Sequence, residues 1–300
     1  MIHSTTTIPT DSGEISAREK EADKKALNKG SSVSAARHRV DVNKTDRAIL
    51  LEISFQTYAA VTVGAPILAL LVAFSLGFSL DYQQILNYDW TCGPVNMPSF
   101  SRIINLPKER LIWNAAVLFH LPLRFLLIFI NYRICRIPSN EICNLKLHGI
   151  LSQMILPSGS VEILMILLLT VIGEREEIDE LRSSNFNWHV HFFVIFTISS
   201  TIYFAVVTVT YRASKHYTEH FNGNWSFNLK FYFTLIYIAL VPILFTFFVM
   251  YWTFCYNFAY DFFALSEYLL ILVNYGFHAS TIYDCNDIYQ FKMLKHRKIS

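Results

Sequence analysis

Residues 229–252 read LKFYFTLIYIALVPILFTFFVMYW, and from Phe231 to Trp252 no charged side chain interrupts them. A helix needs about 20 consecutive apolar residues to cross the hydrocarbon core of a bilayer. Four more runs reach that length, at 57–80, 111–132, 191–210 and 259–283. A sixth, 147–172, is strongly apolar only from Val161 to Ile172, because Gly149, Pro157 and Gly159 fall in its first half. A kinked or partly unwound helix is expected there. The fold class is therefore all-α, a polytopic membrane protein with a bundle of six transmembrane helices over 57–284.

Composition agrees: hydrophobic residues make up 53% of the 300 and charged residues only 16%, far from a soluble average. The net charge of +2 is nearly balanced, and the basic residues lie in tails and short loops rather than in one patch, so no nucleic-acid partner is implied. Residues 1–56 are rich in Ser, Thr, Lys and Glu, have no aromatic residue before Phe55 and show no apolar period. They read as a disordered tail, and 285–300 as a second tail. The first apolar run starts near Tyr58, too late for the apolar core of a cleaved signal peptide.

Lys and Arg flanking the spans set orientation. Lys44, Arg47, Arg133, Arg136, Lys146, Arg212, Lys215, Lys230, Lys292, Lys295, Arg297 and Lys298 fall on one side of a six-span threading. The loop with Glu174, Glu176, Glu177, Asp179 and Glu180, the turn near Tyr256 and the sparsely basic loop 81–109 fall on the other. Both termini are expected in the cytosol. The sequons at Asn43 and Asn224 then lie on the cytosolic side, where they are not glycosylated, and Lys298, third from the end, fits either a retrieval signal or a basic flank.

Under this threading Cys92 and Cys255 are lumenal, and an oxidising compartment suggests one bridge between them. Two free thiols at the membrane surface are the alternative. Cys135, Cys143 and Cys285 are cytosolic, free or acylated, and lack His partners at metal spacing, so no metal and no cofactor is implied.

Few ionisable residues fall inside the spans, and each costs at least a few kcal/mol there unless it faces the bundle interior. His120, Glu162 and Glu267 lie about eight to ten residues from the lumenal ends of their helices, hence at one level by helical rise. Arg124 follows His120 by four residues on the same face, and Asn274 and His278 continue the stripe of Glu267. One reading is a polar pocket open to the lumen, with His120 or His278 as general base and Arg124, Glu162, Glu267 and Asn274 shaping the substrate site. The other is a set of interhelical polar contacts that fix packing, worth about 1–2 kcal/mol each. No GxSxG, HExxH or other nucleophile signature accompanies these residues. His189 and His191, two apart at the start of the fourth span, read as interfacial.

Thr91-Cys92-Gly93 with Asn96-Met97-Pro98-Ser99, Trp113 to Leu126 (WNAAVLFHLPLRFL), Val161-Glu162, and Cys255 through Asp284 with Glu267-Tyr268, Asn274, Phe277-His278 and Asp284 together resemble the post-GPI attachment to proteins factor 2 family, over about residues 55–290. One departure is Leu123 where proline is expected before the arginine, with Pro122 one residue earlier. The resemblance implies a multi-pass protein of Golgi or endoplasmic reticulum membranes that serves lipid remodelling of GPI anchors, at the step where a lyso-form is reacylated with a saturated chain. Membrane lipids, GPI-anchored proteins and an acyl donor are the partners it implies. Three functions follow: an acyltransferase acting on lyso-GPI, a non-catalytic escort presenting GPI-anchored proteins to a separate acyltransferase, or a receptor or transporter. The last is disfavoured because no internal repeat and no chain of acidic residues along one path is found.

Overall fold

A computed structural model describes residues 47–86, 92, 95–140, 144–172 and 188–294. The acidic loop with Glu174, the sequon at Asn43, Cys143, Thr91, Gly93 and the basic end with Lys298 lie outside the described residues. Two units are present. In the first, β1 (Arg47–Ser54) pairs with β2 (Ile288–Leu294) in a two-stranded sheet. Residues 47–54 thus form a strand inside the stretch expected as a disordered tail, and residues 288–294 of the C-terminal tail supply its partner. Each segment is too short and aperiodic to announce a strand, and its partner lies more than 200 residues away in sequence.

The second unit, Ile53–Ile288, is helical. Its helices are α1 (Phe55–Leu80), α2 (Tyr82–Leu86), α3 (Phe100–Ile104), α4 (Pro107–Arg136), α5 (Leu145–Ile172), α6 (Trp188–Arg212), α7 (Lys215–Glu219), α8 (Gly223–Phe254) and α9 (Asn257–Ala279), followed by a 3-10 turn, Ser280–Tyr283. Six of them are long and apolar enough to cross a membrane, matching the six expected spans, so the chain is a multi-pass membrane protein. Consecutive spans pack side by side, α1 on α4, α4 on α5, α5 on α6, α6 on α8 and α8 on α9, and α9 returns to α1, which closes the bundle into a ring. Many large apolar side chains, among them Leu68, Phe119, Ile198 and Leu272, stay exposed on the outside, as a lipid-facing surface requires.

Of the kinked or partly unwound helix expected for the third span, the unwinding does not occur: α5 runs as one helix from Leu145 to Ile172 with Pro157 inside it. Ser158 Oγ donates to the carbonyls of Met154 at 2.6 Å and Ile155 at 3.3 Å, so polar groups near the proline remain satisfied within the helix. Gly159 is a contact rather than a hinge. A Cβ there would come within 2.7 Å of Ile128 Cγ2 and 3.1 Å of Tyr203 Cε2, so only glycine lets α4, α5 and α6 approach this closely.

At one end of the bundle the segment from Val95 to Ile104 is clamped onto α9. Asp261 accepts the Asn96 and Met97 backbone N–H groups at 3.0 and 2.9 Å, Tyr268 donates its hydroxyl to the Pro98 carbonyl, and Glu267 accepts the Phe100 N–H at 2.7 Å. At the same end a disulfide joins Cys92 to Cys255, whose Cα atoms are 5.0 Å apart across 163 residues of sequence. Cys255 closes α8 with a left-handed backbone (φ 53°), a conformation a β-carbon disfavours and an anchored turn can hold. Inserted helices already restrict the unfolded chain, so the bridge is expected to contribute about 2 kcal/mol, the low end of the usual range. Unreduced protein treated with a maleimide after solubilisation should leave Cys92 and Cys255 unlabelled. Labelling of both thiols before reduction would rule the bridge out.

Candidate functional site

Four spans carry one buried polar network. Arg124 on α4 is 2% exposed and its Nη2 donates to Glu162 Oε1 on α5 at 2.8 Å and to Asn274 Oδ1 on α9 at 2.7 Å. Asn274 Nδ2 donates to the same Glu162 oxygen at 2.7 Å, and Ser200 Oγ on α6 donates to it at 2.9 Å. His278 Nε2 lies 3.4 Å from Glu162, and its ring stacks on Tyr203 at 5.4 Å between centroids. Asn131 Nδ2 donates to the Tyr203 hydroxyl at 3.0 Å and extends the network toward the other end. Glu162 is thus the hub, taking bonds from three other helices. Its charge is matched by Arg124, which is what permits either group to lie in hydrocarbon.

A cavity of about 80 Å³ opens beside this network. Arg124, Asn274 and Glu267 line it together with Trp113, Ile166, Leu169, Phe193 and Phe196. Phe100, Ser101 and Ile104 of the clamped segment also line it. Arg124 Nε and Nη1 make no protein hydrogen bond, so two of its donor atoms remain available although the side chain is buried. An apolar wall with a few convergent polar groups at one side suits an amphiphile.

The expected site residues separate into two groups. Arg124, Glu162, Asn274 and His278 come together. His120 and Glu267 have other partners: His120 Nδ1 lies 3.2 Å from the Ala116 carbonyl of its own helix and its ring meets Tyr275 edge-on, while Glu267 holds the Phe100 N–H and faces the cavity. Neither His120 nor His278, the candidate bases, lines the cavity, whereas His189 does. Reading His189 as interfacial missed this, because its position on the first turn of α6 gives no depth signal and only the fold turns it inward.

A second buried cluster was hidden by the positive-inside pattern. Lys230, expected as a basic flank, is 0% exposed on α8 and pairs with Asp284 at 2.8 Å. Ser226 Oγ donates to Asp284 Oδ1 at 2.5 Å, the Lys230 ammonium lies 4.5 Å over the Tyr211 ring, and the Thr208 and Thr234 hydroxyls meet at 2.9 Å nearby. Of the cysteines expected to be free or acylated, Cys135 is buried in α4 and out of reach of an acylating enzyme. Burial beside Asp284 and Asp287 pushes the Cys285 thiol up to about 12, which makes it a poor nucleophile. Among the described residues no three His, Cys, Asp or Glu side chains are placed to hold a metal ion.

Residues 54–288 match the model of a family described as Frag1/DRAM/Sfk1/Cwh43P N-terminal domain. A Drosophila melanogaster protein, post-GPI attachment to proteins factor 2-like, is 23% identical to this chain over 236 residues, which cover 77% of the chain and 69% of that protein. No solved structure matches.

Proposed function

Because the chain belongs to the Frag1/DRAM/Sfk1/Cwh43P N-terminal domain family, we propose that it serves GPI-anchor processing, holding the lipid part of a lyso-GPI anchor in the Arg124 cavity while that lipid is reacylated with a saturated chain. Golgi or endoplasmic reticulum membranes are the proposed place, with the cavity mouth on the lumenal face, where GPI anchors reside. The observation that carries this reading is a cavity with an aromatic and aliphatic wall set against an arginine whose Nε and Nη1 remain without protein partners. Such a site receives a lipid chain and a polar glycerol or phosphate group at once.

Direct acyl transfer requires a base at the cavity, and among the histidines of the described residues only His189 lines it. The escort reading, in which the protein presents the lipid to a separate acyltransferase, is favoured by the placement of His120 and His278 outside the lining. Filling the cavity tests the shared premise. Leu169→Trp should lower surface GPI-anchored proteins several-fold and raise the lyso-anchor fraction seen by mass spectrometry, with the variant expressed at normal level. Full surface display and normal anchor lipids in cells carrying only Leu169→Trp would sink the lipid-site reading. Purified protein supplied with lyso-GPI and an acyl donor then separates the two roles, since product formed by the protein alone requires catalysis.

A further inference from the structure

Polar side chains face the cavity at two levels. Arg124 and Asn274 form the first, joined by the bond from Arg124 Nη2 to Asn274 Oδ1 at 2.7 Å. Glu267 belongs to the second: it lines the same cavity, is 4% exposed, and precedes Asn274 on α9 by seven residues, about 10 Å along the helix axis. Ile271, between them on α9, also lines the cavity and is apolar.

The two levels have opposite hydrogen-bonding character. Arg124 only donates, and its Nε and Nη1 make no protein hydrogen bond. An ionised Glu267 only accepts. Its Oε2 takes the Phe100 N–H at 2.7 Å, which fixes the carboxylate in place, and a group with two oxygens and about four lone-pair sites carries one such bond without being exhausted. Holding a backbone N–H does not require a charge. A carboxylate is expensive inside a span, and a neutral acceptor would hold the Phe100 N–H at lower cost, so the carboxylate is better explained by what the cavity receives.

A ligand that satisfies both levels offers an acceptor to Arg124 and a donor to Glu267. Subtracting a hydrogen bond of about 2.8 Å at each end from the separation of the levels leaves about 4–5 Å between those two ligand groups. That is the scale of one glycerol unit, where a phosphate and a free hydroxyl sit on neighbouring carbons. Given the cavity as a lyso-GPI lipid site, on which this rests, we propose that Glu267 determines its specificity. The carboxylate accepts the hydroxyl that a lyso-glycerolipid carries and that a diacyl lipid has lost to an ester, while Arg124 takes the phosphate oxygen. The hydroxyl stands between carboxylate and phosphate, and the remaining chain lies against Ile166, Leu169, Phe193 and Phe196. The site thus holds the lyso-form and releases the reacylated one, because a site built to bond a hydroxyl rejects an analogue without it.

The test uses full-length protein in phosphatidylcholine nanodiscs, titrated calorimetrically against empty nanodiscs with palmitoyl lysophosphatidic acid, its 2-deoxy analogue and its 2-acetyl ester. Wild-type protein should bind the lysolipid at least about tenfold more tightly than either analogue. Glu267→Gln keeps a carbonyl for the Phe100 N–H but loses the charged acceptor, and should cut the preference below about threefold while the 2-deoxy analogue binds as it does to wild type. No preference in the wild type overturns the proposal whatever the variant does. A Glu267→Gln protein that retains the preference, or that weakens lysolipid and 2-deoxy analogue equally, overturns it as well, since either result leaves Glu267 a clamp on Phe100 alone. If Glu267→Gln does not fold, Glu267→Asp, which keeps the charge and withdraws it by one methylene, should lose the preference, and its retention there overturns the assignment. Leu169→Trp separates this assignment from the lipid-site reading. If it abolishes binding of lysolipid and analogues while the wild type shows no preference among them, only the role of Glu267 fails; if it leaves binding and anchor lipids intact, the cavity is not the lipid site.

Discussion

Arg124→Gln is expected to destabilise the protein by about 3–5 kcal/mol, because it leaves the Glu162 carboxylate buried without its countercharge. Glu162 is fully buried and has no water to fall back on, and the Asn274 and Ser200 donors that remain are neutral. Glu162→Gln should cost less than Arg124→Gln, since a glutamine still accepts from Asn274 and Ser200, but it strands the guanidinium. Combining Arg124→Gln with Glu162→Gln removes both charges, and the double variant should be more stable than the sum of the single losses by about 1–3 kcal/mol. Unfolding in mixed micelles, followed by helix content, measures all four corners of this cycle. Additive losses would show that Glu162 is held by its neutral neighbours and that the ion pair carries no stability of its own. Surface GPI-anchored protein in cells carrying the double variant adds a functional readout: if Arg124 contacts ligand through Nε and Nη1, stability returns and function does not.

The six spans were legible because hydrocarbon thickness imposes a length and a composition that a window of sequence reveals without knowledge of any neighbour. Arg124, Glu162, Asn274 and His278 were legible for a related reason: a polar side chain at mid-depth is expensive, and helical rise places it in depth as well as on a face. Apart from the Cys92–Cys255 bridge, which the lumenal placement of both cysteines suggested, what escaped the sequence was set by rotation or by contact between distant segments. Glu267 was expected at the depth of Glu162, but the chain leading into α3 brings the Phe100 N–H onto its carboxylate, and no spacing within α9 encodes that. His189 lies near a helix end, where polar residues are ordinary, so only its place in the cavity lining of the folded bundle distinguishes it. Gly159 and Pro157 were read, by the rules for water, as kinking or partly unwinding their helix. In a bilayer the same residues sit in a continuous helix, glycine because it admits Ile128 and Tyr203, proline because its helix has no water to unwind into.

Lys230 shows the same ambiguity with the largest consequence. As a flank cation it would contribute to orientation alone, and its replacement by methionine would leave stability nearly unchanged. As a fully buried partner of Asp284, with Ser226 bonded to the same carboxylate, it ties α8 to the segment that follows α9. Lys230→Met is then expected to cost about 3–5 kcal/mol, because Asp284 keeps a buried charge with only a hydroxyl to meet it. Asp284→Asn should cost a similar amount by stranding the ammonium over the Tyr211 ring, where the aromatic face offsets only about 1–2 kcal/mol of the loss. Lys230→Met combined with Asp284→Asn should recover much of either loss, since a neutral pair of similar shape removes both desolvation penalties. Unfolding measured alongside protease accessibility of the termini decides between the roles. Loss of stability with orientation preserved supports the buried pair, whereas mixed orientation with normal stability would return Lys230 to the loop and leave Asp284 to be explained by Ser226 alone.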